Sequence, residues 1–127
     1  MSSPPDEIVA RARGLIGTRF RPQGRTATEG LDCIGLAALA IDVRNAPRDY
    51  ALRGASGRRL AAELETAGLR AVDHMTPGDV LVLAPGPMQL HLGIFTGTGL
   101  VHGDAGLRRV VERPLPFPWP VLGIWRF

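Results

Sequence analysis

Three residues of this chain have the types that thiol chemistry needs: Cys33, His91 and His102. Cys33 is the only cysteine. It lies in Gly30-Leu31-Asp32-Cys33-Ile34-Gly35-Leu36, opening onto the apolar run Leu36-Ala37-Ala38-Leu39-Ala40-Ile41. If that run is a helix, Cys33 falls in its first turn, where unpaired backbone N–H groups and the helix dipole favour a thiolate. A lone cysteine is otherwise a small buried hydrophobe, so its role depends on what the chain brings to it. Leu90-His91-Leu92-Gly93-Ile94-Phe95 and Gly99-Leu100-Val101-His102 flank Thr96-Gly97-Thr98, a hairpin signal. With a two-residue loop, Gly97-Thr98 or Thr98-Gly99, His102 lies opposite Gly93 or Phe95. Either register puts both imidazoles on one sheet face, with Leu92, Ile94 and Val101 on the other. Opposite Gly93, which leaves room, they are diagonal neighbours, roughly 7–8 Å apart at the backbone; a three-residue loop would separate them. A cysteine nucleophile, a histidine base and a second polar group orienting the base make a thiol hydrolase. The same three could be ligands of a metal with an open position, but without a carboxylate at ligand spacing they are a sparse set. His74, before the turn Thr76-Pro77-Gly78-Asp79, has no partner in the pattern and reads as surface.

The surrounding elements follow from periodicity and punctuation. Ser3 as a cap, Pro4 and Pro5, then Asp6 and Glu7, start a helix over 5–16 with Ile8, Val9, Ala12, Leu15 and Ile16 on one face and Gly17 as its stop. The stretch from Thr18 to Gly30 is an irregular loop of the length that often carries function. A helix over 33–43, apolar nearly all round, must be central, and Gly35 in its first turn implies another backbone packed close to the cysteine. Asn45 to Gly57, with Pro47 and Gly54, is a turn-rich connection. A short helix capped by Ser56 follows, with Leu60, Ala61 and Leu64 inward and Gly68 as its stop. From Leu69 the period is two: strands at Val80–Leu83, closed by Ala84-Pro85-Gly86-Pro87, then Leu90–Phe95, Gly99–His102, Arg109–Glu112 and Val121–Arg126. Pro114, Pro116, Pro118 and Pro120 forbid a regular element between the last two. Helices first and an antiparallel sheet second make an α+β domain.

At 127 residues, 45% hydrophobic and 21% charged, the chain is expected to fold as one domain, 1–127. One cysteine excludes an internal disulfide. All 15 basic residues are arginine, scattered along the chain, and the formal charge is only +3. Such a surface suits solvent, or a weak attraction to an anionic polymer, better than a nucleic-acid footprint. The N-terminus has neither a basic nor an apolar region of a signal peptide, and no window approaches a membrane span. Synthesis in the cytoplasm, with delivery by something other than its own signal, is the expectation.

Asp32-Cys33-Ile34-Gly35 at a helix start, Pro77-Gly78-Asp79-Val80 leading a strand, His91-Leu92-Gly93-Ile94-Phe95 and a return with Val101-His102 stand in the order of the NlpC family. The chain resembles these papain-like cell-wall cysteine peptidases over about residues 7 to 126. The compact length, Asp32-Cys33-Ile34-Gly35-Leu36 and the closing Ile124-Trp125-Arg126-Phe127 are most similar to versions encoded with phage or gene-transfer-agent tail genes. The resemblance implies a papain-like domain, N-terminal helices on a C-terminal sheet, that hydrolyses peptidoglycan stem peptides between γ-D-glutamate and a diamino acid. It implies no metal and no cofactor. Cys33 matches the nucleophile, His91 the base, His102 the orienting residue and Asp32 the acid that helps hold the substrate's amino end. Cys33 and His91 would form a thiolate–imidazolium pair. The Cys33 backbone N–H would be one oxyanion donor and Gln23 a second, by analogy with a glutamine upstream of the nucleophile in papain-like enzymes. Where the family commonly has Tyr this chain has Phe20, and where it commonly has Ser after the cysteine, Ile34; both positions touch substrate recognition. Implied partners are the stem peptide and tail proteins, with no nucleic acid and no membrane span, and implied action is in the periplasm or cell wall. The alternatives are a catalytically silent tail-assembly or wall-binding module of the same fold, or a thiol amidase or acyltransferase.

Overall fold

Pro5 at the first helical position, Asp6 and Glu7 near the positive dipole end, and the buried stripe Ile8, Val9 and Ala12 make Pro5–Gly14 an amphipathic helix, α1. The structure is a computed structural model that describes residues 4–43 and 57–127. The expected caps at Ser3 and Ser56, and the connection from Asn45 with Pro47 and Gly54, lie outside the described residues. Helix α1 closes at Leu15, earlier than expected, and the chain turns at Gly17 (φ +92°), whose N–H bonds the Val110 carbonyl. The segment expected to be irregular holds a minimal antiparallel hairpin, Arg25–Thr26 (β1) with Gly30–Leu31 (β2). Cys33–Ile41 (α2) is apolar all round, eight of its nine residues are buried, and it ends at Asp42 in the left-handed region. Gly57–Thr66 (α3) turns Leu60 and Leu64 inward, and Gly68 follows it at φ +98°.

Six strands then form one antiparallel sheet: Arg70–Val72 (β3), Val80–Gly86 (β4), Gln89–Phe95 (β5), Gly99–Asp104 (β6), Arg109–Pro114 (β7) and Val121–Arg126 (β8). Their order is β3-β8-β4-β5-β6-β7. Strand β3 has no counterpart among the expected elements: at three residues, two of them exposed, it carries almost no hydrophobic signal. Strand β4 runs past its expected end at Leu83, and the register shift between Leu83 and Gly86 accommodates Pro85. The helices cover one sheet face, where Ile8, Leu36, Leu60, Val82 and Ile94 meet. On the other face Leu81, Leu83, Phe95 and Leu100 pack under Phe117 and Trp119 of the proline-rich connection. Among the described residues no helix is long and apolar enough to cross a membrane.

One buried ion pair clasps the sheet. Asp79, only 1% exposed, accepts both guanidinium bonds of Arg126 at 2.9 Å and the Thr76 N–H at 2.8 Å. The start of β4 is thereby tied to the end of β8. Removing one partner strands the other charge, so Asp79→Ala should cost about 3 kcal/mol. Urea denaturation should show a lower midpoint with an unchanged slope.

Candidate active site

The β5–β6 hairpin settles the histidine geometry. Ile94 pairs with Val101 and Phe95 with Leu100, and the Thr96 N–H donates to the Gly99 carbonyl at 2.9 Å. The loop is therefore the two-residue Gly97-Thr98, with Gly97 at φ +100° where a II′ turn needs it. Extended one step beyond the last pair, Ile94 with Val101, this register would set His102 opposite Gly93. The space beside Gly93 is taken by the Leu100 side chain, which a Cβ there would overlap, rather than by an imidazole. The rings still meet: His91 Nε2 lies 2.9 Å from His102 Nδ1, with the planes at 88°.

Two local features bring Cys33 to this pair. The first is the cap of α2. Asp32 accepts the Gly35 N–H at 2.8 Å, the Gln23 N–H at 2.9 Å and Arg25 Nη1 at 2.7 Å, pinning the loop to the helix start. Close packing is possible because a Cβ on Gly35 would overlap the Gly24 carbonyl, as the glycine in that first turn implied, and one on Gly24 would overlap the Gly30 carbonyl. The second feature is an opening in the sheet. Phe95 bonds across to Gly78 and Asp79, so by alternation the Leu92 N–H faces β6. Pairing between β5 and β6 stops at Ile94 and Val101, and the Leu92 N–H left out of the ladder lies near enough to the Cys33 sulfur to favour its thiolate. Across the opening, a Cβ on Gly103 would stand 3.7 Å from the Cys33 nitrogen and 3.4 Å from the Phe20 ring.

All seven candidates from the sequence, Phe20, Gln23, Asp32, Cys33, Ile34, His91 and His102, line one cavity of roughly 640 Å³. Their settings differ. Ile34 is buried and belongs chiefly to the helix-side core, Phe20 is half-buried, and Gln23 is exposed at φ +59°. Asp32 already has three donors, so of a carboxylate's roughly four acceptor sites about one remains. Asp104 and Trp119 are among the lining residues that sequence reasoning missed. A tryptophan in a stretch too proline-rich for a regular element has to pack on something, and that was the available signal for Trp119. His74 is exposed; its ring nitrogen lies 2.8 Å from Asp73, and its carbonyl accepts from the Arg126 guanidinium at 3.1 Å. Among the described residues no group of three or more His, Cys, Asp or Glu is arranged to hold a metal ion.

Burial of both groups works against the expected thiolate–imidazolium pair. Burial pushes the Cys33 thiol from an ordinary 9.0 up to about 12, Asp32 adds to the rise, and the Leu92 and Cys33 N–H groups with Arg25 offset part of it. Burial likewise pushes His91 from 6.5 down to about 4, with His102 adding to the fall and Asp104 opposing it. His102 is lowered too, mainly by burial, and among the described residues its Nε2 has no hydrogen-bond partner. These shifts favour a neutral thiol and neutral imidazoles at neutral pH. Stability should follow. Below about pH 6.5 the unfolded chain gains a proton at His91 that the native site refuses until about 4, so stability falls with pH across that window. Above 9.0 the unfolded chain loses the Cys33 proton that the native site keeps until about 12, so stability falls as pH rises. Melting temperatures should therefore peak between these windows. His91→Gln should flatten the acid side and Cys33→Ala the alkaline side; unaltered profiles would contradict these protonation states.

No family model matches the chain, and no curated protein matches it in sequence. In structure it is similar to the NlpC/p60 domain of the peptidoglycan hydrolase SagA, with a TM-score of 0.61 and 23% identity over 88% of this chain and 90% of that one. It is also similar to the P60 domain of the M. avium subspecies paratuberculosis antigen MAP1204, with a TM-score of 0.64 and 17% identity over 95% and 91% of the two chains. The fold, helices packed on an antiparallel sheet in the papain-like manner, is that of the NlpC/p60 domains.

Proposed function

We propose that this chain, as a single domain over 1–127, is a cysteine peptidase that hydrolyses peptidoglycan stem peptides between γ-D-glutamate and a diamino acid. The observation that carries the reading is the 2.9 Å contact between His91 Nε2 and His102 Nδ1 in a cavity shared with Cys33. With His91 Nε2 engaged by His102, Nδ1 is the nitrogen left to take a proton. In the proposed reaction the Cys33 proton passes to His91 Nδ1 as sulfur attacks the carbonyl carbon, and the carbonyl electron pair moves onto oxygen. The Cys33 backbone N–H at the start of α2 and the Gln23 side chain would face that oxyanion. His91 then returns the proton to the leaving amine as the C–N bond breaks, and water releases the acyl group from the thioester. His102 orients His91 throughout. The remaining acceptor site on Asp32 suits the substrate's amino group, and Phe20 and Ile34 would bound the side chain next to the scissile bond.

The likeness of Asp32-Cys33-Ile34-Gly35-Leu36 and Ile124-Trp125-Arg126-Phe127 to tail-encoded versions supports delivery to the wall, in the periplasm or beyond, by a phage or gene-transfer-agent tail. A second reading, a wall-binding or tail-assembly module without turnover, is favoured by one observation: Cys33 is buried, which disfavours its thiolate. Digestion of peptidoglycan fragments followed by mass spectrometry separates the two. The peptidase should create new peptide ends, Cys33→Ala should abolish them, and His91→Gln should slow cleavage by about 10²–10⁴-fold. Binding without new ends, or equal cleavage by Cys33→Ala, would overturn the peptidase reading.

A further inference from the structure

Trp119 lines the cavity and has no task in the proposed reaction. It sits in the proline-rich connection between β7 and β8, and one indole touches both members of the histidine pair. The ring centroids are 5.5 Å apart with His91 and 5.4 Å apart with His102, and both contacts are edge-to-face at 79° and 77°. The same indole carries the Arg113 guanidinium, whose central carbon lies 5.2 Å from the ring centroid. Arg113 Nε is buried and among the described residues has no hydrogen-bond partner, so the indole is the contact that these residues give this end of the side chain. His102 is 1% exposed and its Nε2 is buried, so bulk water does not reach the far side of the pair.

We infer that Trp119 is a positioning residue for the His91–His102 pair: it shields their hydrogen bond from water and sets the two ring planes, while Arg113 holds the indole in place. A neutral imidazole pair offers one donor and one acceptor across that contact, and water could replace either. Enclosing the contact keeps the rings committed to each other and leaves His91 Nδ1 as the nitrogen that takes the proton in the proposed reaction. Among the described residues the charged and titratable groups facing the pair are Cys33 and Asp32 from the start of α2, Asp104 at the end of β6 and Arg113 on β7. Trp119 adds no charge to this set, so its effect is exclusion of solvent and geometry. The inference deepens the peptidase reading, because it concerns the same pair, but its test needs no substrate.

The test is an NMR titration of the imidazole C–H signals in the full chain, wild type against Trp119→Ala and Trp119→Phe. In wild type His91 should titrate near 4. With Trp119→Ala its midpoint should climb by about one pH unit or more toward the ordinary value, and with Trp119→Phe by clearly less. If Trp119→Ala loses the fold by circular dichroism, Trp119→Leu, which keeps apolar bulk without the ring, should show a rise in the same direction. In the cleavage assay the acid limb of kcat should move with the midpoint while KM changes less. An unmoved His91 in the variant without the ring, or equal rises for Trp119→Phe and Trp119→Ala, would overturn the inference. A wild-type protein that shows the shift but cleaves nothing would overturn the peptidase reading while supporting the place given to Trp119.

Discussion

Three donors from two separate segments converge on the Asp32 carboxylate: the Gly35 N–H of the helix it caps, and the Gln23 N–H and Arg25 guanidinium of the loop before it. The arrangement is possible only where Gly24, Gly30 and Gly35 lack side chains, because each carbonyl in the stack lies where the next residue's Cβ would be. A single charge thus decides where α2 begins, how the preceding loop folds over it, and where the one cysteine of the chain points. The Arg25–Asp32 pair is itself largely buried, at 8% and 13% side-chain exposure, so its partners cannot be exchanged for water without cost.

The second constraint is the early end of pairing between β5 and β6. A continued ladder would spend the Leu92 N–H on β6 and close the sheet over the place where α2 starts. Because the strands part, a thiol from the helix side and two imidazoles from the opposite face line the same cavity. The same enclosure decides the charge state. Raising the thiol from 9.0 to about 12 corresponds to roughly 4 kcal/mol in favour of S–H. A helix start returns only about 0.3–2 kcal/mol to an anion. Desolvation outweighs the dipole, and the site rests neutral. In the proposed reaction the proton therefore moves from sulfur to His91 during attack rather than before it.

Much of this was legible because it is local or periodic. The two-residue turn at Gly97-Thr98 and alternation along β5 and β6 placed His91 and His102 together, and an all-apolar helix with Gly35 in its first turn implied close backbone beside Cys33. What escaped is nonlocal. The β1–β2 hairpin has two residues per strand, too few for any period, and it exists because Asp32 and the glycine stack hold it. Trp119 reaches the histidines through a proline-rich connection with no pattern of its own. The burial of Cys33 escaped for the same reason: the favourable helix start is visible in the sequence, whereas the sheet, loop and core that dehydrate the sulfur belong to segments far from it.

The central claim is that Cys33 rests as a buried neutral thiol beside a neutral histidine pair, held there by the Asp32 cap. The most direct measurement is the rate of Cys33 alkylation by iodoacetamide from pH 5 to pH 11, in wild type and in His91→Gln. The structure predicts a reaction slower than that of free cysteine at neutral pH, rising only at alkaline pH and little changed by His91→Gln. A fast plateau from acid to neutral pH that vanishes in His91→Gln would reveal a preformed thiolate–imidazolium pair and contradict the account.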